Sequence, residues 1–339
     1  MRNEKSDGWN RREFLSTLSL AGAAGFIGLQ PEAFAAESPP ETTKLRLVQV
    51  PAICFAPQYI AEELLKSEGF TDVQYIKTVS GGAGKALASG SADISMQFSG
   101  PFIIQVDAGD PIMILAGVHV GCFELFGTDR VRAIRDLKGK TVAVPALGAP
   151  SHVFLSIMAA HVGLDPRKEI NWVTHPPAES VRLLADGKID ALLLFPPYPQ
   201  ELRAKKIGHV VVNSMMDRPW SQYFCCVAAG NREFVRKNPV ATKRALRAIL
   251  KGADISAREP ERVARFLVDK GYTENYEYAL QTLKDIPYNK WREYDPEDTV
   301  RFYSLRLQEV GMIKATPQKI IANGTDWRFL RELKKEMKT

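Results

Sequence analysis

The sequence predicts an α/β fold divided into two similarly built lobes. Extended apolar runs alternate with helical ones from Leu45 onward, the pattern of parallel strands joined by crossover helices. An eight-residue stretch also recurs: Leu87-Ala88-Ser89-Gly90-Ser91-Ala92-Asp93-Ile94 is echoed 97 positions later by Leu184-Ala185-Asp186-Gly187-Lys188-Ile189-Asp190-Ala191. That interval is too long for a solenoid repeat and suits a second lobe of the same construction. Composition agrees: of 339 residues, 45% are hydrophobic and 25% charged, enough for a packed core and against disorder.

Taken in order, Leu45 to Val50 alternates apolar and polar residues as a strand does. Pro57 to Glu68 reads as a helix closed by Gly69, which tolerates the left-handed conformation at a helix end. Val73-Gln74-Tyr75-Ile76 supplies the next strand. Each copy of the echo is a helix end, a Gly stop, an Asp and a buried strand. The first strand runs into Gln97-Phe98-Ser99-Gly100-Pro101, the second into Phe195-Pro196-Pro197-Tyr198. Ile112 to Gly117 is an apolar strand leading through His119 and Cys122 toward Phe123, and Tyr223 to Ala229 is another. With both crossing between lobes, residues 44–122 and 225–339 are expected to form one discontinuous lobe and 123–224 the other. After Asn238 the apolar spacing of Val240 to Ala257 and of Val300 to Val310 is helical.

The first 35 residues read differently. Arg11 and Arg12 precede an uncharged apolar run of 16 residues, Phe14 to Leu29, and Ala33-Phe34-Ala35 provides a small-x-small cleavage pattern. This is the order of an export signal. The run falls short of the roughly 20 apolar residues a spanning helix needs. The arginine pair before Phe14-Leu15 resembles a twin-arginine signal, with Asn10 where Ser or Thr is usual and Ser16 where Lys is; an ordinary secretory signal is the alternative. No cysteine follows the apolar run to carry a lipid, so the expected product is soluble, periplasmic and unanchored. Cleavage leaves 304 residues and the whole net charge of +6, because the removed segment is neutral.

Candidate ligand contacts sit in the strand-end loops. Ser80-Gly81-Gly82-Ala83-Gly84 and Gly148-Ala149-Pro150-Ser151-His152 each precede a helix, whose backbone N–H groups suit a carboxylate or sulfonate. Phe55, Phe98, Phe195, Tyr198, Trp220 and Tyr223 lie near strand ends, an aromatic lining suited to a planar ligand. Cys54, Gln58, Gln97, Ser99, His119 and Pro197 share those segments and complete the expected ligand-binding set.

Catalytic motifs are not found. The five histidines show no paired metal spacing, and there is no G-x-S-x-G elbow. Gly82-Ala83-Gly84-Lys85 lacks both the leading Gly and the Ser or Thr of a phosphate loop. Basic runs alternate with acids, so nucleic acid is not expected as a partner. Cys54, Cys122, Cys225 and Cys226 contain no C-x-x-C, and free buried thiols are their expected state. The reading is of a monomer with no enzymatic activity, metal or cofactor.

In sequence order, Ala56-Pro57-Gln58-Tyr59-Ile60-Ala61, Ala88-Ser89-Gly90-Ser91-Ala92-Asp93, Asp136-Leu137-Lys138-Gly139-Lys140-Thr141-Val142-Ala143, Phe234-Val235-Arg236-Lys237-Asn238-Pro239 and Phe302-Tyr303 to Gly311-Met312-Ile313 form a set. That set resembles ABC-transporter substrate-binding proteins of the nitrate/sulfonate/taurine type, the group that includes the Thi5-like pyrimidine-precursor binders. No single stretch is specific; their order along nearly the whole chain after residue 35 is. The resemblance implies a two-lobed type II periplasmic-binding fold with a hinge of two crossover strands and C-terminal helices. Such a protein closes around a small organic anion or planar heterocycle and docks on a membrane permease. Two other functions on the same fold stay open: a Thi5-like enzyme and a periplasmic ligand sensor.

Overall fold

The computed structural model describes residues 37–79 and 82–337; the export-signal reading of residues 1–35, Ser80 and Gly81 lie outside them. The alternating and apolar runs become strands β1 (Lys44–Gln49), β2 (Asp72–Lys77), β3 (Ile94–Phe98), β4 (Ile112–Val120) and β5 (Glu124–Gly127). They continue with β6 (Thr141–Val144), β7 (Asn171–Thr174), β8 (Ala191–Leu194), β9 (His209–Asn213) and β10 (Phe224–Asn231). These make two five-stranded sheets, ordered β2-β1-β3-β10-β4 and β7-β6-β8-β5-β9.

The two sheets share one plan. In each, β1 or β6 has parallel neighbours on both sides. An antiparallel strand, β10 or β5, then links the parallel set to an antiparallel edge strand, β4 or β9. That linking strand is the one arriving from the other sheet, since β5 follows β4 and β10 follows β9. The chain therefore passes between the sheets twice.

The echo lands on equivalent places, β3 and β8, and the repeated aspartate does the same work in both. The Arg46 N–H donates to the Asp93 carboxylate at 2.7 Å, and the Thr141 N–H donates to Asp190 at 2.8 Å. The Asp93 and Asp190 N–H groups return bonds to the Arg46 and Thr141 carbonyls, both at 2.8 Å. Each carboxylate also takes an arginine, Arg46 or Arg130. Burial pushes the Asp190 carboxyl up, but the Thr141 N–H and Arg130 outweigh it and hold it below its ordinary value. Its contribution is thus present above the ordinary carboxylate range and is lost as pH falls through the lowered value. Asp93→Ala and Asp190→Ala are each expected to cost about 1–3 kcal/mol in urea unfolding, because a strand N–H loses its charged acceptor. A loss well under that for both would remove the clamp reading.

The expected helix from Pro57 to Glu68 is two short helices, Ala56–Ile60 and Glu62–Leu65, ended by Gly69 at φ +99°. From Asn238 onward the chain is helical apart from short connections. The longest helix among the described residues, Pro239–Arg258, starts under Glu41, whose carboxylate accepts from the Val240 and Ala241 N–H groups at 3.0 and 2.9 Å. A carboxylate at a helix N-terminus satisfies orphan donors and meets the positive dipole end. The same helix crosses Ala56–Ile60 so closely that a Cβ at Gly252 would lie 2.2 Å from the Pro57 carbonyl oxygen. No helix among the described residues is long and apolar enough to cross a membrane.

One buried apolar cluster spans the first sheet, the C-terminal helices and the inner side of the second sheet. A smaller one, with Phe126, Val181, Leu184, Leu192, Leu194 and Leu202, lies between the second sheet and its helices.

Candidate functional site

The carboxyl ends of β1, β3 and β8 converge on a cavity, joined by the β4–β5 crossover and the start of β10. Val50, Ala52, Cys54 and Phe55 come from the segment after β1, Gln97 and Phe98 from the end of β3, and Phe195 from the residue after β8. Cys122 and Phe123 come from the crossover, Pro150 from a helix start after β6, and Cys226 from β10. Crevices at parallel-strand ends are the usual ligand position in α/β folds. The lining carries no lysine or arginine. Its volume is small, about 30 Å³, room for a water or two.

Aromatic packing fixes the walls. Phe123 meets Phe98 and Phe195 edge-on with ring centroids 5.4 and 5.5 Å apart. Phe98 is backed by Phe154 at 4.8 Å and Tyr303 at 5.3 Å. Trp220, expected in the lining, sits one layer back, edge-on to Phe154 at 5.4 Å. Tyr223 is likewise outside, stacked on Phe302 at 3.9 Å.

Cys54, Phe55, Gln97, Phe98 and Phe195 are thus the sequence-expected residues that line the cavity. Gln58 has a different task. Its side-chain amide donates to the Val48 carbonyl at 2.6 Å and accepts from the Met96 N–H at 2.8 Å. It joins β1 to β3 where their ladder keeps only the Leu47–Ile94 pair. The Ser99 hydroxyl is 3.0 Å from both the Phe224 and Cys225 carbonyl oxygens. Gly148 and His152 satisfy each other, the Gly148 N–H donating to the His152 Nδ1 at 3.0 Å. Burial beside Trp172 holds the His152 imidazole below its ordinary value. Ser151 is buried with an unpartnered hydroxyl in the first turn of the Pro150–His161 helix. Tyr198 packs on the smaller core cluster, and Pro197 precedes its helix. Gly82 precedes a helix of only six residues, Ala83–Ala88, and is outside the lining.

Cys122, Cys226 and Phe123 join the site from outside the expected set. Adjacent to the cavity, Cys54, His119, Cys122 and Cys226 each place a donor atom within 4.8 Å of all the others, and all four are buried. Sequence spacing gave no sign of this cluster, because its members lie on separate segments and only His119 and Cys122 are close in the chain. The four cysteines are free. Burial pushes the Cys122 and Cys225 thiols well up. Cys226 is driven up by burial too, but hydrogen bonds from Cys122, Cys225 and Cys54 carry it well below its ordinary value.

Two equivalent sheets, two passages between them and a cavity at their shared strand ends make this a two-lobed binding-protein fold. The chain belongs to the NMT1-like family, whose model matches residues 38–266. Solved structures of similar fold include the periplasmic nitrate-binding protein NrtA of Synechocystis PCC 6803, with 18% identity, 88% of this chain and 90% of that one covered, and TM-score 0.72. The periplasmic aliphatic sulphonate binding protein SsuA of Escherichia coli gives 17% identity, coverage of 83% and 92%, and TM-score 0.67. A Candida albicans protein described as exhibiting the generic periplasmic binding protein fold gives 15% identity, coverage of 84% and 96%, and TM-score 0.66. A search of curated proteins finds no match.

Proposed function

We propose that this chain is the substrate-binding component of an ABC importer, exported to the periplasm, that holds a small ligand between its lobes and delivers it to a membrane permease. The observation that carries this is the cavity built jointly by Phe98 of the first sheet, Phe195 of the second and Phe123 of the crossover. A site whose walls belong to two bodies closes by hinge motion and opens to release. Residues 44–122 with 225–339 form one moving lobe in this reading, and 123–224 the other. The nitrate- and sulphonate-binding names of the similar structures support uptake. The aromatic walls without a basic side chain favour a ligand with a flat or apolar part, its polar end met by Gln97, whose side-chain amide nitrogen is buried without a partner. The protein acts as a monomer and performs no catalysis.

A thermal-shift screen of the chain against sulfonates, nitrate, aromatic carboxylates and pyrimidines tests this reading. A true ligand at 100 times its Kd is expected to stabilise the fold by about 2.7 kcal/mol. Turnover of any of them, with no stabilisation by the rest, would replace capture with catalysis. Export is tested separately: Arg11→Lys together with Arg12→Lys is expected to abolish periplasmic accumulation, and unchanged yield would rule out the twin-arginine route.

A further inference from the structure

Four side chains from separate segments direct soft donor atoms to one buried point. Cys54 follows β1, His119 lies near the end of β4, Cys122 is in the crossover and Cys226 is on β10; each is at most 2% exposed. We propose that these residues bind a thiophilic d10 cation, Zn2+ or Cu+, in a shell of three thiolates and one imidazole. The cluster adjoins the cavity assigned above to capture, and in that respect the inference rests on that reading.

The distances fit. Tetrahedral bonds of about 2.3 Å to sulfur and 2.0–2.1 Å to nitrogen place neighbouring donors about 3.4–3.8 Å apart. The observed donors lie within 4.8 Å of one another, so a contraction of about half an ångström per ligand closes the shell.

The imidazole is prepared for the task. His119 Nδ1 faces the Val120 and Gly121 carbonyl oxygens at 3.3 and 3.0 Å. Carbonyls only accept, so Nδ1 carries the hydrogen and Nε2 is the nitrogen left to face a metal. That Nε2 is buried without a hydrogen-bond partner. A metal-bound histidine is oriented by this kind of backbone bond on its other nitrogen. A histidine serving only as core would leave a buried acceptor unpaired at a cost.

Backbone strain points to the same place. Cys122 holds φ at +148°, a region L residues rarely adopt. The Ser214 hydroxyl oxygen accepts from the Cys122 and Phe123 N–H groups at 3.2 and 3.0 Å and fixes the bend. The strained turn delivers the Cys122 sulfur to the cluster. The donor set contains no oxygen, which selects soft cations over Mg2+ or Ca2+.

The test uses the full chain, reduced and chelator-stripped, titrated with Co2+ as a spectroscopic stand-in for Zn2+. A second arm titrates Cu+ anaerobically against a chromogenic chelator, which tells the two ions apart. One ion per chain is expected, with thiolate-to-metal charge transfer and, for Co2+, tetrahedral d–d bands that added Zn2+ bleaches. Cys54→Ser and Cys226→Ser should each weaken binding by more than the roughly 10–100-fold that loss of an outer-shell partner costs. Cys225→Ser, outside the four although its Sγ lies 3.2 Å from the Cys122 Sγ, should weaken binding less than either ligand variant and keep the tetrahedral d–d bands, and thermal unfolding of each apo variant checks its fold. Absence of charge transfer with both ions overturns the proposal, as does a spectrum unchanged by both Cys54→Ser and Cys226→Ser. Stabilisation by an organic ligand without any metal signal defeats this inference and leaves capture standing. Metal binding in a protein that catalyses turnover of an organic ligand defeats capture and leaves this inference standing.

Discussion

Arg203→Met is expected to destabilise the protein by about 3–5 kcal/mol in urea unfolding. Arg203 lies in the Tyr198–Lys205 helix beside the second sheet and pairs with two carboxylates, Glu124 at the start of β5 and Asp285 at the end of the Tyr276–Asp285 helix. Glu124 is fully buried, and its second oxygen has no partner. Removing the guanidinium leaves that carboxylate uncompensated, the case in which a buried ion pair matters most. Burial already pushes the Glu124 carboxyl above its ordinary value, against the pull of Arg203. A carboxyl raised in the folded state contributes fully at pH below its unfolded value, and that contribution is lost as pH rises through the folded value. Without Arg203 the value rises further, so the deficit of the variant should widen as pH rises above the ordinary carboxylate range. A loss under about 1 kcal/mol with no pH dependence would mean that the pair is solvated and weak.

Phe98→Ala is expected to cost about 3–5 kcal/mol and to alter ligand selection at the same time. Its ring is 2% exposed and packs on Phe123, Phe154 and Tyr303 while also facing the cavity. The lost ring leaves a void continuous with the binding space, so larger ligands should gain stabilisation relative to small ones in thermal shift. Phe98→Leu keeps most of the volume and should cost much less. Equal ligand preference in wild type and both variants would place binding elsewhere.

Five of the eleven residues that line the cavity were legible as strand ends. Phe98 and Phe195 could be anticipated because each follows a buried strand marked by the echo, and the carboxyl ends of such strands face a crevice. Phe55 and Cys54 follow from the same reasoning at β1. Gln58 and Ser99 share those segments, yet they bond to main chain that diverges near the cavity: β1 from β3 for Gln58, β10 for Ser99. Residue type and position do not distinguish a polar side chain that meets a ligand from one that repairs a ladder. Trp220 was displaced for a related reason, since Phe154 fills the layer it would otherwise occupy.

The chain by itself determined what depends on local periodicity and on repetition. Alternation and helix stops set the elements, and the interval between Asp93 and Asp190 marked equivalent slots in two sheets, because the same strand-edge clamp needs the same residue in the same place. Only the tertiary structure decided which distant residues share a point. Cys54, His119, Cys122 and Cys226 meet because the ends of β1 and β4, the crossover and the start of β10 come together. That meeting is set by sheet order and by two passages of the chain between lobes, neither of which is a property of any short stretch of sequence.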